Sequence, residues 1–202
     1  MNKSIAPIPN LLLASLPRKE YLKLLPDLSH VTLDYGDILY EPLTRMAYVY
    51  FPGDCLVSLL TQIDRHLELE VGMVGSEGMV GTPLALGTED SGVRALVQGG
   101  GKALRMSSAR FLSALQRSPP FQRAVLGYVD TLIRQVSQTA ACNRFHVVAA
   151  RLARWLLVPR SRPKTGQLHL THALTSHVLG CPRGASSQGS STPRGQHLDR
   201  RH

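Results

Sequence analysis

From Val31 to Met106 the chain runs as short apolar stretches cut by turn residues every 8–12 residues or so, the spacing of strands in an antiparallel sandwich or barrel. The stretches are Val31–Tyr35, Ala47–Phe51, Leu56–Ile63, Leu67–Met73 and Val93–Val97, with Ala103–Met106 closing the run. Between them stand Tyr35-Gly36-Asp37, Pro52-Gly53-Asp54, a set of glycines at 72, 75, 78, 81 and 87, and Gly99-Gly100-Gly101. Leu67-Glu68-Leu69-Glu70-Val71 alternates strictly, as a half-buried strand does.

The flanks read as helix. Leucines at mixed three- and four-residue spacing between residues 11 and 28, broken by Pro17 and Pro26, predict one or two short helices. Ser107–Gln116 predicts a short amphipathic helix. Pro119-Pro120 then opens a long one, in which Phe121, Val125, Tyr128, Val129, Leu132, Ile133, Val136 and Ala140 form an apolar stripe over about five turns. Such a stripe can cover its own barrel or pair with a second copy; its length favours a homodimer through Phe121, Val125, Tyr128, Val129, Leu132 and Val136. A further helix is expected over 144–158, stopped by Pro159 and Pro163, and another over Ala173–Leu179 with Thr171 as N-cap and Gly180 as its stop.

Charge divides the chain. Residues 1–142 carry 13 basic and 13 acidic side chains, whereas residues 143–202 carry 10 basic side chains and the single acid Asp199. The whole net charge of +9 therefore sits in the last part, along with six of the eight histidines. Lys and Arg gathered in this way suit a polyanion, from whose phosphates they release counterions.

Other classes are excluded on composition. No apolar run reaches the roughly 18 residues of a membrane span, and the N-terminus has the form of neither a secretory nor a transit signal, which predicts a cytoplasmic protein with no membrane partner. Cys55, Cys142 and Cys181 are odd in number and far apart, so neither a disulfide framework nor a structural zinc or iron–sulfur site is expected. Cys142 and His146 stand one helical turn apart but lack a third group to orient the histidine. His169, His172 and His177 are too sparse to predict a metal, and no Lys-Ser/Thr follows the glycines as a phosphate loop requires. No catalytic residue, cofactor or metal is predicted, and the chain is not expected to be an enzyme.

The order of barrel, long helix and basic helical head resembles the Crp/Fnr family of bacterial transcription regulators. Val71-Gly72-Met73-Val74-Gly75-Ser76-Glu77-Gly78-Met79 is similar to the glycine-rich turn and short helix of that family's sensor barrel. Residues 139–146 (TAACNRFH) look like its hinge, and His169 to Gly180 like the first helix and turn of its helix-turn-helix. The resemblance implies an α+β protein: an N-terminal antiparallel β-barrel or jelly roll with helices over 1–119, a dimerisation helix over 120–142, and a partial winged-helix DNA-binding head over 143–180. It implies DNA contacts by Arg144, Thr171, His172, His177 and Arg183, and a small-molecule effector pocket at Gly75, Glu77, Gly78 and Arg94.

Two departures shape the expected function. Relatives that bind a cyclic nucleotide carry an arginine beside a small hydroxyl residue some ten residues past the glycine turn; here Gly87-Thr88-Glu89-Asp90-Ser91 has two acids and no arginine. Cyclic AMP is therefore not the expected effector. The second departure is the stretch 181–202, CPRGASSQGSSTPRGQHLDRRH, whose only hydrophobic residues are Cys181, Ala185 and Leu198. It cannot offset an ordering cost of roughly 1–2 kcal/mol per residue and is expected to be a disordered basic tail, incomplete as a recognition helix and resembling the product of a truncation or frame shift after about residue 180. The sequence thus predicts a DNA-binding regulator whose barrel senses a signal, or alternatively a DNA-incompetent remnant that only dimerises or binds an effector.

Overall fold

The computed structural model describes residues 8–64 and 67–145. Prolines set the N-terminal segmentation. Leu11–Ala14 forms helix α1, Arg18–Leu24 forms α2 directly after Pro17, and Leu25–Asp27 makes a 3₁₀ turn around Pro26. Asn10 caps α1: its side-chain oxygen accepts from the Leu13 N–H at 3.0 Å, while its amide donates to the carbonyls of Pro52 at 2.9 Å and Gly78 at 2.8 Å. This fully buried amide is satisfied three times over and fastens the N-terminal helix to the barrel.

Seven strands follow: β1 Ser29–Leu33, β2 Ile38–Tyr40, β3 Tyr48–Pro52, β4 Leu56–Gln62, β5 Glu68–Val74, β6 Arg94–Gly99 and β7 Gly101–Ser107. They make two antiparallel sheets, ordered β1-β7-β3 and β2-β6-β4-β5. Each expected stretch contains a strand, and β2 is added. It has only three residues and is held by pairing with β6, a partner more than fifty residues away that no local pattern announces.

Ser108–Arg117 is helix α3 and Pro119–Phe145 is helix α4, 27 residues long. The core lies between the sheets and these helices. Phe111 of α3 meets Phe121 of α4 edge to face at 5.8 Å between ring centroids, and Phe121 meets Phe51 of β3 at 6.4 Å. All three rings are fully buried. The architecture is an antiparallel jelly roll followed by a long C-terminal helix, as the sequence predicts. That helix continues unbroken through Phe145, past the expected boundary at 142.

Along β5 burial does not follow the polar–apolar alternation: Glu70 is the buried residue, and Leu69 and Val71 are half-buried. Ser58 of β4, itself fully buried, donates its hydroxyl to Glu70 Oε2 at 2.6 Å. A hydrogen-bonded carboxylate can be held inside where a bare one could not.

Candidate functional site

The glycine-rich turn follows β5, and the structure places it under α4. Gly75 and Gly78 are buried and Glu77 is exposed. Glu77 bends back so that its Oε1 accepts from the Gly75 N–H at 2.9 Å. The Gly78 N–H donates to the Gly75 carbonyl at 3.2 Å, and the Val80 N–H to the Tyr50 carbonyl at 2.8 Å. Gly81, with φ at +104°, sits in the left-handed region where a side chain is strained. Gly78 is glycine for a different reason: a Cβ there would fall inside the ring of Tyr128 on α4. Tyr128 shares a hydrogen bond with the Met79 backbone, and burial first, then the Glu77 carboxylate, pushes its phenol far above the ordinary range. One turn further along α4, Leu132 lies over Gly72 of β5, 3.5 Å from where a Cβ would stand.

Three of the four expected effector-pocket residues are therefore gathered in the turn. Arg94 is elsewhere. It opens β6, where its Nε meets Glu41 at 2.8 Å and its Nη1 meets Glu68 at 2.7 Å. Glu41 first, and Glu68 with it, raise the arginine's pKa against the opposing effect of burial. A guanidinium held by two carboxylates is a strand clamp with its charge already answered, not a free phosphate receptor.

The helix stripe divides into two faces, and several of the residues expected at a dimer contact lie on the face turned to the barrel. Phe121, Val125 and Tyr128 belong to the barrel's own core, and Leu132 rests on β5. Phe121, Val125 and Tyr128 are buried within the chain, whereas Leu132 is half-buried. About a quarter turn around the helix, Leu126 is 42% exposed and Ile133 is 57% exposed. Leu126, Val129, Ile133, Val136 and Ala140 follow one another at spacings of three, four, three and four, the repeat of a coiled-coil seam. Of these five, Val129 and Val136 were expected at a dimer contact, Ile133 and Ala140 were read only as part of the stripe, and Leu126 lay outside it, although its spacing from Val129 and Ile133 was legible.

Arg144 lies exposed in the last turn of α4 with its guanidinium 5.6 Å from the ring centre of Phe145. The expected DNA contacts at Thr171, His172, His177 and Arg183, the rest of the head and the 181–202 tail lie outside the described residues. Among the described residues no cluster of three metal-ligating side chains occurs, and no helix is long and apolar enough to cross a membrane.

No protein-family model matches the sequence, and no curated protein does. Solved structures do. The c-di-GMP-responsive global regulator CLP of Xanthomonas campestris is similar with a TM-score of 0.66 at 18% identity, over 83% of this chain and 86% of that one. A mutant of CooA from Carboxydothermus hydrogenoformans matches at 0.54 and 16% identity, over 72% and 93% of the two chains. A cAMP-binding regulatory protein from Silicibacter pomeroyi, so described from its structure, matches at 0.50 and 23%, over 74% and 68%. At these identities the likenesses establish a shared fold, the jelly roll with its long helix.

Proposed function

We propose that the chain is a transcription regulator of the Crp/Fnr type, a cytoplasmic homodimer whose barrel senses a small molecule and whose basic C-terminal part binds DNA. The observation that carries this reading is the second apolar edge of α4. Leu126 and Ile133 stand exposed on a helix whose other face is already committed to the barrel, and the heptad spacing of that edge is self-complementary in a second copy. The helix then leads into residues 143–202, which hold the entire excess of positive charge.

Phosphate contacts from these cations support binding without sequence preference, typically with a dissociation constant of about 10⁻⁴ to 10⁻⁶ M at physiological salt. Selectivity needs docked base contacts, and the glycines and serines after Arg183 are poor helix formers. That composition favours a second reading, a dimer that has lost operator recognition and titrates intact relatives. Fluorescence anisotropy on random and promoter duplexes across a salt series separates the two. Steeply salt-dependent binding with no site preference fits the second reading, and nanomolar operator-selective binding fits the first. No binding to either duplex at low salt overturns DNA binding altogether. Cyclic AMP and cyclic di-GMP, the latter because the CLP regulator responds to it, are the effector probes, with no tight binding expected of cyclic AMP.

A further inference from the structure

The glycine turn is filled by the chain itself. The N–H of Gly75 is taken by the Glu77 carboxylate, that of Gly78 by the Gly75 carbonyl and that of Val80 by the Tyr50 carbonyl, while Met79 is bonded to the Tyr128 phenol. The Tyr128 ring occupies the volume that any side chain at position 78 would need. Tyr128 thus packs its ring directly against Gly78 of the turn, and it lies next to Val129, the buried member of the apolar seam. Turn and helix cannot move independently while the ring is seated, because close-packed contacts shift in steps and not smoothly.

Building on the reading of the barrel as a sensor, we propose that Tyr128 is a built-in occupant of the effector turn, a latch that holds α4 on the barrel and that an entering ligand must displace. Glu77 completes the arrangement by offering the turn an internal anion where an external one would otherwise be drawn.

The test is amide hydrogen exchange on the full chain. Gly78→Ala drives the ring out of its seat, so exchange should quicken at least about tenfold both in residues 75–81 and in residues 125–132. Removing the ring as well, in Gly78→Ala/Tyr128→Ala, makes room for the methyl and should return the turn toward wild-type protection. Gly92→Ala, which adds its methyl into open space, should leave both segments unchanged. Should Gly78→Ala fail to fold, Tyr128→Phe keeps the ring and deletes only the phenol oxygen; the Met79 amide and the 129–132 segment should then quicken together. Faster exchange confined to the turn, with α4 as protected as in wild type, would overturn the latch. So would a double variant no better protected in the turn than Gly78→Ala. Cyclic AMP and cyclic di-GMP are then added to the wild-type chain. A probe that binds and quickens exchange in 125–132 supports displacement, and one that binds while the Tyr128 contacts stay protected refutes it. If neither probe binds, the sensor reading loses its support while the exchange data on the variants still decide the latch.

Discussion

Replacing Phe121 by alanine separates the two uses to which the α4 stripe could be put. Phe121 is fully buried, edge-on to Phe111 at 5.8 Å and tilted against Phe51 at 6.4 Å, inside one chain. Removing a buried phenylalanine costs about 3–5 kcal/mol in lost transfer energy and residual cavity. Ring pairs of this geometry account for about 0.5–1.5 kcal/mol each within such a total. For a chain of this size, 1 kcal/mol moves the melting midpoint by about 2–4 °C, so a fall of roughly 6–20 °C is expected. The decisive feature is its dependence on concentration. A core residue destabilises each chain alone, so the shift should be the same across a hundredfold range of protein concentration, after allowance for the wild type's own dependence. A seam residue would act through mass action and give a shift that shrinks as protein is added. Urea melts and calorimetry at two concentrations measure this. If Phe121→Ala leaves the monomer as stable as wild type and only weakens association, the assignment of this ring to the barrel core is wrong.

Other outcomes follow from the same geometry. Ile133→Glu places a charge in the exposed edge of α4 and should turn the proposed dimer into a monomer in sedimentation velocity with the barrel's circular dichroism unchanged; a wild-type monomer at tens of micromolar would sink the seam. Glu20 accepts from Lys23 at 2.7 Å and from the Ser118 hydroxyl at 2.7 Å, and Lys23 first, then Ser118, lower its pKa. Its folded pKa lies below the unfolded value, so the contribution is present above the unfolded pKa and disappears as pH falls through the folded one. NMR titration should show the Glu20 carboxyl moving up in Lys23→Gln and by less in Ser118→Ala; a Glu20 that titrates identically in all three would refute the network. Burial raises the Cys55 thiol to about 11, so a disulfide reagent at pH 8 should label Cys55 only after denaturant is added, with rapid labelling of native Cys55 as the contrary result.

Much of the architecture was readable from order and period. Turn residues at short intervals marked the strands, and the stripe starting at Phe121 marked α4, because both follow from the local repeat of the backbone. Three things were not readable, each for the same kind of reason. Strand β2 exists through pairing with β6. Glu70 is buried because Ser58 on a neighbouring strand supplies its hydrogen bond. The stripe on α4 is broad enough for two neighbours, and periodicity says that a face is apolar without saying what covers each edge. The candidate site shows the limit most clearly. The glycines were visible at intervals of three residues, but Gly78 is fixed by Tyr128, fifty positions later, and Arg94 is silenced by carboxylates at 41 and 68.

The strand order β1-β7-β3 also governs when the protein can fold. The central strand of that sheet is the last of the seven to be made, so Ser29–Leu33 and Tyr48–Pro52 wait for Gly101–Ser107 before either has a neighbour in the sheet. Pairings separated by more than fifty residues close slowly, and strands that wait unpaired are the segments that recruit other chains. On the ribosome the first hundred residues therefore emerge with the β2-β6-β4-β5 sheet complete but β1 and β3 lacking their common neighbour, and a nascent chain halted there should need a chaperone. Once β7 slots between its partners, α3 and α4 follow immediately in sequence and close over the core.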